Sequence, residues 1–176
     1  MFFLSLLLFN SVFLQDPSLN KASISFEIMH MGVLKVEGKF DGVSGEIRRL
    51  GKNDWVIEGE VDVQSIDTGN AARDQTILGP QYLDVESHPV IPFVAQMKIF
   101  EEKGKITVDL EIRGLKLKIC GAVYEVGGKL VSNRIRFKRS DMGLDFGLMD
   151  SLVGNEITFI IDSGIALSKL KWLKAQ

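Results

Sequence analysis

The chain has 176 residues, of which 45% are hydrophobic and 25% charged, which is typical of one folded domain and not of a disordered segment. Its formal net charge of −2 argues against a nucleic-acid-binding protein, because such proteins usually carry an excess of basic residues. Two histidines and one cysteine leave too few ligands for most zinc sites and no partner for a disulfide within the chain.

Residues 1–15 form an apolar run with no charged side chain before Asp16. The run is shorter than the ~20 apolar residues of a transmembrane helix, and it matches the apolar core of a secretory signal peptide. It lacks a basic residue after Met1 and a small-x-small cleavage site, and the alternative is a strand or helix buried in the domain. We predict that residues 1–20 are a signal peptide and that residues 21–176 form a single domain.

From Ala22 onward, apolar and polar residues alternate with a period of two. In the first such segment, Ile24, Phe26 and Ile28 alternate with serines and a glutamate. This alternation is typical of antiparallel strands that have one buried face and one exposed face. It recurs at residues 34–41, 57–64, 106–113, 115–119, 134–138 and 157–161. We count about eight strands joined by short turns, a pattern that favours an up-and-down barrel or a sandwich.

One segment interrupts the alternation between the strands at 57–64 and 106–113. Ala71, Ala72, Ile77 and Leu78 have the spacing of a short helix, and the following Gly-Pro pair would end it. The sequence therefore predicts an all-β domain with one short helical insertion between strands.

The inward rows of these strands consist of Ile, Leu, Val and Phe with almost no polar interruption. A barrel of eight strands is either filled by its own side chains or holds one small ligand. Gly38 and Gly59 at inward positions slightly favour open space, although the bends of a closed barrel explain them equally well. The pattern leaves both a packed core and a cavity open.

Five sequence motifs, in order along the chain, resemble those of the YceI-like, polyisoprenoid-binding family. They lie at residues 27–40, 65–78, 82–93, 139–144 and 153–157. The resemblance runs from about Ser23 to Asp162. Two positions depart from the family pattern, since Arg113 stands where a histidine is usual and Met142 where a phenylalanine is usual. The tail after Asp162 lies outside the resemblance and is expected to be a docked or frayed terminus, or an amphipathic end that touches membrane.

The resemblance implies an elongated, lipocalin-like, eight-stranded antiparallel barrel with a tunnel for one long chain. The ligand would be a polyisoprenoid, a quinone or a fatty-acid-like lipid, with no cofactor and no metal. It further implies a periplasmic or secreted binding protein, not an enzyme, which is often a homodimer and has no nucleic-acid partner.

The inward apolar side chains are the candidate wall of this tunnel, because an isoprenoid tail gains affinity only by burying apolar area. The candidate wall residues are Phe26, Ile28, Leu34, Val36, Phe40, Ile57, Val61, Phe93, Val108, Leu110, Ile112, Leu117, Phe137 and Phe159.

A polar mouth is needed to recognise a head group, and His30, Arg73 and Asp74 are its candidates. Arg73 can hold a phosphate or quinone oxygen and Asp74 can orient it, although the pair would serve equally well to tie the helix to the barrel rim. His30 follows Ile28 in the inward register and either bonds within the fold or meets the ligand. A basic stripe, formed by Arg134, Arg136, Lys138 and Arg139, is expected to be solvated, or to approach an anionic lipid surface.

Three functions remain possible from the sequence. The leading hypothesis is non-enzymatic binding, transport or sequestration of a long-chain lipid outside the cytoplasm. The second is a ligand-free, stress-related scaffold that acts through protein contacts and has a solid core. The third is an enzyme acting on the bound lipid, although the chain has no G-x-S-x-G nucleophile motif and no glycine-rich nucleotide loop.

Overall fold

The computed structural model of the protein describes residues 19, 21–100, 103–144 and 152–166. Apart from residue 19, the predicted signal peptide lies outside the described residues, and so does the tail after Ala166. The described residues form ten strands and one α-helix: β1 (Ala22–His30), β2 (Leu34–Arg49), β3 (Asp54–Asp62), β4 (Ile66–Asp67), α1 (Ala71–Leu78), β5 (Val90–Phe100), β6 (Lys103–Ile112), β7 (Leu115–Val126), β8 (Lys129–Ser132), β9 (Ile135–Lys138) and β10 (Val153–Ala166).

All the strands belong to one antiparallel sheet that closes on itself. The strand order is β1-β10-β8-β7-β6-β5-β3-β2, and β2 pairs with β1 to complete the ring. The short β4 lies beside β2 in line with β3, and β9 lies beside β10 in line with β8. The result is a closed eight-stranded barrel with one short helix, which confirms the predicted fold and excludes the sandwich.

The direction of the strands defines two ends of the barrel. The upper end carries the β1–β2 turn at residues 31–33, the insertion at 63–89 that contains α1, and the β6–β7 turn at 113–114. The lower end carries the β2–β3 turn at 50–53 and the β7–β8 turn at 127–128.

The insertion folds over the upper end because its helix is capped and its following loop returns to it. The side chain of Asn70 accepts a hydrogen bond from the Arg73 N–H at the start of α1. After the helix, the Leu83 N–H donates to the Ile77 carbonyl and the Val85 N–H to the Leu78 carbonyl, at 2.9 and 3.0 Å. No helix in the described ranges has the length and apolarity that crossing a membrane would need.

The lower end is closed by a solid core of large apolar side chains. Ile47, Trp55, Ile99 and Ile165 are all buried there. They occupy inward positions below the side chains that line the interior, and none of them lines it. Leu19 is also buried, and its N–H donates to the Gly45 carbonyl at 3.1 Å, so this residue of the predicted signal peptide packs into the barrel.

One residue of the predicted basic stripe, Arg139, is buried and does not lie on the exposed face. Only 3% of its surface is exposed, and its guanidinium donates to the carbonyls of Leu144 and Gly154. The chain turns into a 3₁₀ helix at Arg139, which redirects the side chain inward. Arg134 stays on the outer face, where its hydrogen bond to Glu27 holds the pKa of that carboxyl below its usual range.

Replacing the buried arginine should destabilise the fold. Arg139→Met removes the donors to both carbonyls, of which the bond to Gly154 is long, at 3.5 Å. We expect the free energy of unfolding to fall by about 2–3 kcal/mol, mainly through the loss of the Leu144 bond, since one bond to a charged group contributes ~1.5–3 kcal/mol. Urea denaturation measures the loss. The control is Arg136→Met on the exposed stripe, where a change within about 0.5 kcal/mol is expected. Equal effects of the two substitutions would contradict the structural role.

Candidate functional site

A cavity of about 420 Å³ occupies the barrel above the lower core. This volume lies within the ~300–1,000 Å³ range of small-molecule pockets, so the barrel is not filled by its own side chains. Thirteen of the fourteen predicted wall residues line it: Phe26, Ile28, Val36, Phe40, Ile57, Val61, Phe93, Val108, Leu110, Ile112, Leu117, Phe137 and Phe159. The alternating pattern allowed either a packed core or a cavity. The structure has the cavity, and its wall is apolar.

Leu34, the fourteenth predicted wall residue, lies outside the cavity. It is the first residue of β2 and pairs with His30, the last residue of β1. This places Leu34 at the rim of the mouth, level with His30, and 58% of its surface is exposed. The prediction of a wall position was wrong here because alternation gives the face of a strand but does not show whether the end of the strand is covered by other side chains.

The inward glycines do not leave open space, contrary to the expectation from volume alone. Gly38 pairs with Phe26, whose ring lies where a Cβ on the glycine would sit, with Cζ 2.3 Å from that point. Gly59 pairs with Phe93 in the same way, at 2.9 Å. Each glycine therefore makes room for a phenylalanine of the neighbouring strand, and the rings, not empty volume, occupy these positions.

Four phenylalanine rings form a continuous aromatic arc on one side of the cavity. The ring of Phe26 lies 5.7 Å from that of Phe40 and 6.3 Å from that of Phe159, centroid to centroid. Phe159 in turn meets Phe137 edge-on at 5.7 Å. These tilted and edge-on contacts are favourable geometries for aromatic pairs, so the arc is a stable part of the wall.

Polar lining residues at the upper end of the cavity mark its mouth. They are His30 at the end of β1, Arg73 and Thr76 on α1, and Tyr82 in the loop after the helix. The Thr76 hydroxyl donates to the Ala72 carbonyl and is thereby occupied. The half-buried His30 side chain makes no hydrogen bond to any residue that the structure describes. Its imidazole is therefore available to a group that enters the mouth.

Arg73 and Asp74 both hold Thr68, the residue that follows β4. Asp74 Oδ1 accepts from the Thr68 N–H at 3.0 Å and from its hydroxyl at 2.5 Å. Arg73 Nε donates to the Thr68 hydroxyl oxygen at 2.8 Å, and Nη2 donates to its carbonyl at 2.7 Å. The pair ties α1 to the barrel rim, and of the two only Arg73 also lines the cavity.

Removing the Asp74 carboxylate should test this rim contact. Asp74→Ala removes the acceptor of two hydrogen bonds, one from the N–H of Thr68 and one from its hydroxyl. We expect the free energy of unfolding to fall by about 2 kcal/mol. Any lipid that copurifies with the protein should stay bound, because Asp74 does not line the cavity. Thermal unfolding and native mass spectrometry measure the two effects, with exposed Gln75→Ala on the same helix as the control. Loss of lipid at unchanged stability would point to a ligand contact instead.

Several residues that line the cavity were not predicted from the sequence. Met142 and Leu144 enter the wall from the segment after β9, and Ile77 and Leu83 from the insertion. Met142 stands where the family motif has phenylalanine, which was the available signal for an inward apolar position.

Two serines also line the cavity. Ser132 accepts a hydrogen bond from the Ile161 N–H and donates to the Asn133 carbonyl, while Ser163 donates to the Leu130 carbonyl. Between Asp162 and Ala166 the register of β10 against β8 shifts, and these side chains supply hydrogen bonds near the shift.

The chain is similar in sequence to a known protein family. A family model for the YceI-like domain matches residues 16–164. The chain belongs to the YceI-like family. Two curated relatives are a UPF0312 protein of Vibrio parahaemolyticus, 30% identical over 110 residues, and one of Shewanella denitrificans, 27% identical over 110 residues. Each alignment covers 60% of this chain and 58% of the relative, so the chain matches less than two-thirds of their length.

Three solved structures, among others, have a similar fold. BcnA of Burkholderia cenocepacia has a TM-score of 0.67 at 21% identity, over 82% of this chain and 96% of that one. A polyisoprenoid binding domain from Saccharophagus degradans has a TM-score of 0.60 at 14% identity, over 80% and 91%. A YCEI protein of Campylobacter jejuni has a TM-score of 0.54 at 22% identity, over 77% and 86%. These likenesses show the same barrel fold.

Proposed function

We propose that this protein binds one long-chain amphipathic lipid, tail first, and carries or sequesters it without chemical change. The observation that carries the proposal is the cavity of about 420 Å³, with an apolar wall, a closed lower end and polar residues at the upper end. A chain of hydrocarbon fits such a space because nothing in the wall requires a polar partner.

The size of the cavity indicates how much chain it can bury. One water molecule occupies ~30 Å³ of liquid, and a methylene group is of similar size, so the cavity accommodates on the order of a dozen chain carbons. At about 0.8 kcal/mol for each buried methylene, ten of them contribute ~8 kcal/mol. This exceeds the lower estimates of the cost of association, ~4 kcal/mol, before any contact with the head group.

The head group would lie at the mouth, near His30 and Arg73. Arg73 uses Nε and Nη2 on Thr68, which leaves Nη1 to meet a phosphate or quinone oxygen. The polyisoprenoid binding domain from Saccharophagus degradans has the same fold, which supports an isoprenoid as the first ligand class to test. Quinones and fatty-acid-like lipids are the alternatives within the same proposal.

The competing functions account less well for the interior. A ligand-free scaffold would gain stability from a filled core, whereas this barrel keeps a cavity. An enzyme would need polar catalytic side chains beside the lipid. The wall of the cavity is apolar, and its polar lining residues are those at the mouth and the two hydrogen-bonded serines. We therefore favour binding over both alternatives.

We also propose that the protein acts in the periplasm or after secretion. The proposal depends on the apolar run at residues 1–15, which resembles the core of a signal peptide. Because Leu19 packs into the barrel, cleavage before residue 19 fits the fold better than cleavage after residue 20. Cell fractionation with N-terminal sequencing of the protein tests this, and an unprocessed cytoplasmic chain would overturn it.

Native mass spectrometry of the full chain purified from a bacterial host tests the binding proposal. We expect a species heavier than the protein by the mass of one lipid, and we expect organic extraction to remove that mass. Mass spectrometry of the extract then identifies the lipid class. A protein that never carries such a mass, and takes up none when incubated with polyprenyl phosphate, ubiquinone or a long-chain fatty acid, would contradict the proposal.

A further inference from the structure

The β1–β2 turn at the upper end of the barrel exposes a cluster of apolar side chains. Met31, Val33 and Leu34 have 57%, 78% and 58% of their surface exposed. We refer to residues 31–34 as the mouth tip. Single exposed apolar residues are common on protein surfaces, but three within one four-residue turn form a small apolar protrusion.

The backbone holds the mouth tip in a conformation that its sequence does not favour. Met31 has φ of 53° and Gly32 has φ of 70°, both in the left-handed region, and the Val33 N–H donates to the His30 carbonyl at 3.2 Å. Two-residue hairpin turns with positive φ at both positions strongly prefer Asn-Gly or Asp-Gly. Methionine at the first position costs conformational energy, and it adds apolar surface at a position where an asparagine would stabilise the turn.

The position of the tip connects it to the cavity. Leu34 pairs in register with His30, and the His30 side chain lines the cavity mouth. A charged belt begins directly below the tip, where Lys35 forms ion pairs with Glu37 and Glu27. These contacts raise the pKa of Lys35, the largest cause being its hydrogen bond to Glu37, so its ammonium stays charged.

The β6–β7 hairpin, on the opposite side of the mouth at the same end of the barrel, also exposes an apolar side chain next to a lysine. Leu115, at the β6–β7 turn, has 45% of its surface exposed and follows Arg113 and Gly114 directly. Lys116 is the next residue and is exposed. At both hairpins a lysine, Lys35 or Lys116, directly follows an exposed leucine, which suits the boundary between lipid tails and head groups, where lysine extends toward the polar layer.

We propose that the mouth tip inserts into the surface of a lipid bilayer and sets the cavity mouth against it. The inference rests on the proposed function, because an apolar cargo needs a route between membrane and cavity that avoids water. A second copy of the chain is a less suitable binding partner for the mouth tip than a bilayer. A stable protein interface buries about 800 Å² and 20–30 residues on each side, far more than three side chains on a convex turn provide.

Co-flotation with lipid vesicles tests the inference, using the full chain purified from the expressing cells with its N-terminus established by intact mass. Met31→Asn removes apolar surface while suiting the left-handed backbone, and Val33→Ser with Leu34→Ser removes the rest of the tip. The matched control is Leu50→Ser with Val126→Ser, because both residues are exposed apolar positions at the closed lower end. Vesicles are made of phosphatidylcholine, with and without phosphatidylglycerol.

We expect the wild type and the lower-end control to float with the vesicles and the tip variants to partition about tenfold more weakly. The melting temperature of Met31→Asn should not fall, and native mass spectrometry should find the same bound lipid in every variant. Tip variants that float like the wild type would overturn the inference. So would a wild type that carries lipid yet never floats, or a tip whose substitution changes only the oligomeric state measured by sedimentation.

The two readouts keep this inference separate from the proposed function. A wild type that floats through its tip but carries no lipid would overturn the proposed function and leave the membrane contact standing. A wild type that carries lipid without floating would overturn the membrane contact and leave the proposed function standing.

Discussion

Replacing Ala95 with phenylalanine is expected to abolish the binding of a long-chain lipid while the barrel remains folded. Ala95 is buried on β5, lines the cavity, and lies between Ile57 and Val108 on the adjacent strands, which also line it. The new ring would occupy space that the lipid chain needs. Displacing about four methylenes removes ~3 kcal/mol of binding free energy, which is more than a hundredfold in affinity.

The stability of this variant separates loss of space from loss of structure. Overpacking of a filled core costs ~1–3 kcal/mol, whereas burying a phenyl ring in empty apolar space contributes ~1.5–3 kcal/mol. We therefore expect the ligand-free Ala95→Phe protein to unfold at a similar or higher temperature than the wild type. Gln96→Phe, one residue along the same strand and on the exposed face, is the control that should keep its lipid. Undiminished binding by Ala95→Phe would contradict the location of the site.

Adding a methyl group to Gly59 should destabilise the protein more than adding one to Gly38. A Cβ on Gly59 would lie 2.3 Å from the Ser44 carbonyl oxygen, which belongs to the paired backbone and cannot move without breaking the ladder. The three atoms nearest to a Cβ on Gly38 all belong to the far end of the Phe26 ring, which is side chain and not backbone. We expect losses in the free energy of unfolding of about 3 kcal/mol for Gly59→Ala and about 1 kcal/mol for Gly38→Ala.

The Gly38→Ala substitution should also affect the cavity. At Gly38 the ring of Phe26 can yield only by moving into the cavity or along the aromatic arc, where its neighbours are Phe40 and Phe159. Gly38→Ala should therefore weaken lipid binding severalfold at a small cost in stability. Urea denaturation and ligand titration of both variants measure these effects. Equal destabilisation by the two substitutions, with unchanged binding, would show that the rings are not held as described.

Much of the fold could be predicted from alternation alone. Period-two segments such as Ile24, Phe26 and Ile28 became strands with these side chains inside, because a strand places alternate residues on opposite faces. The break in the pattern at residues 71–78 became the one helix of the insertion. Closure into a barrel followed from the family resemblance, since alternation permits a sandwich equally well.

The details of the site required three-dimensional information. Alternation could not show that Leu34 is exposed at the rim, nor could it give the cross-strand register that places Phe26 over Gly38. It could not show that Arg139 turns inward, because that depends on where β9 ends and a 3₁₀ helix begins. The alternatives for Arg73 and Asp74 were both sound in chemistry, and only the hydrogen bonds to Thr68 show that the pair ties the helix to the rim.

A crystal structure of the protein purified with its natural cargo tests most directly whether the barrel holds a lipid chain. We expect continuous, elongated density that enters past His30 and Arg73, runs beside Phe26 and Phe159, and ends above the buried Trp55. A barrel whose own side chains have collapsed into the cavity, or whose cavity holds only ordered water, would contradict this expectation.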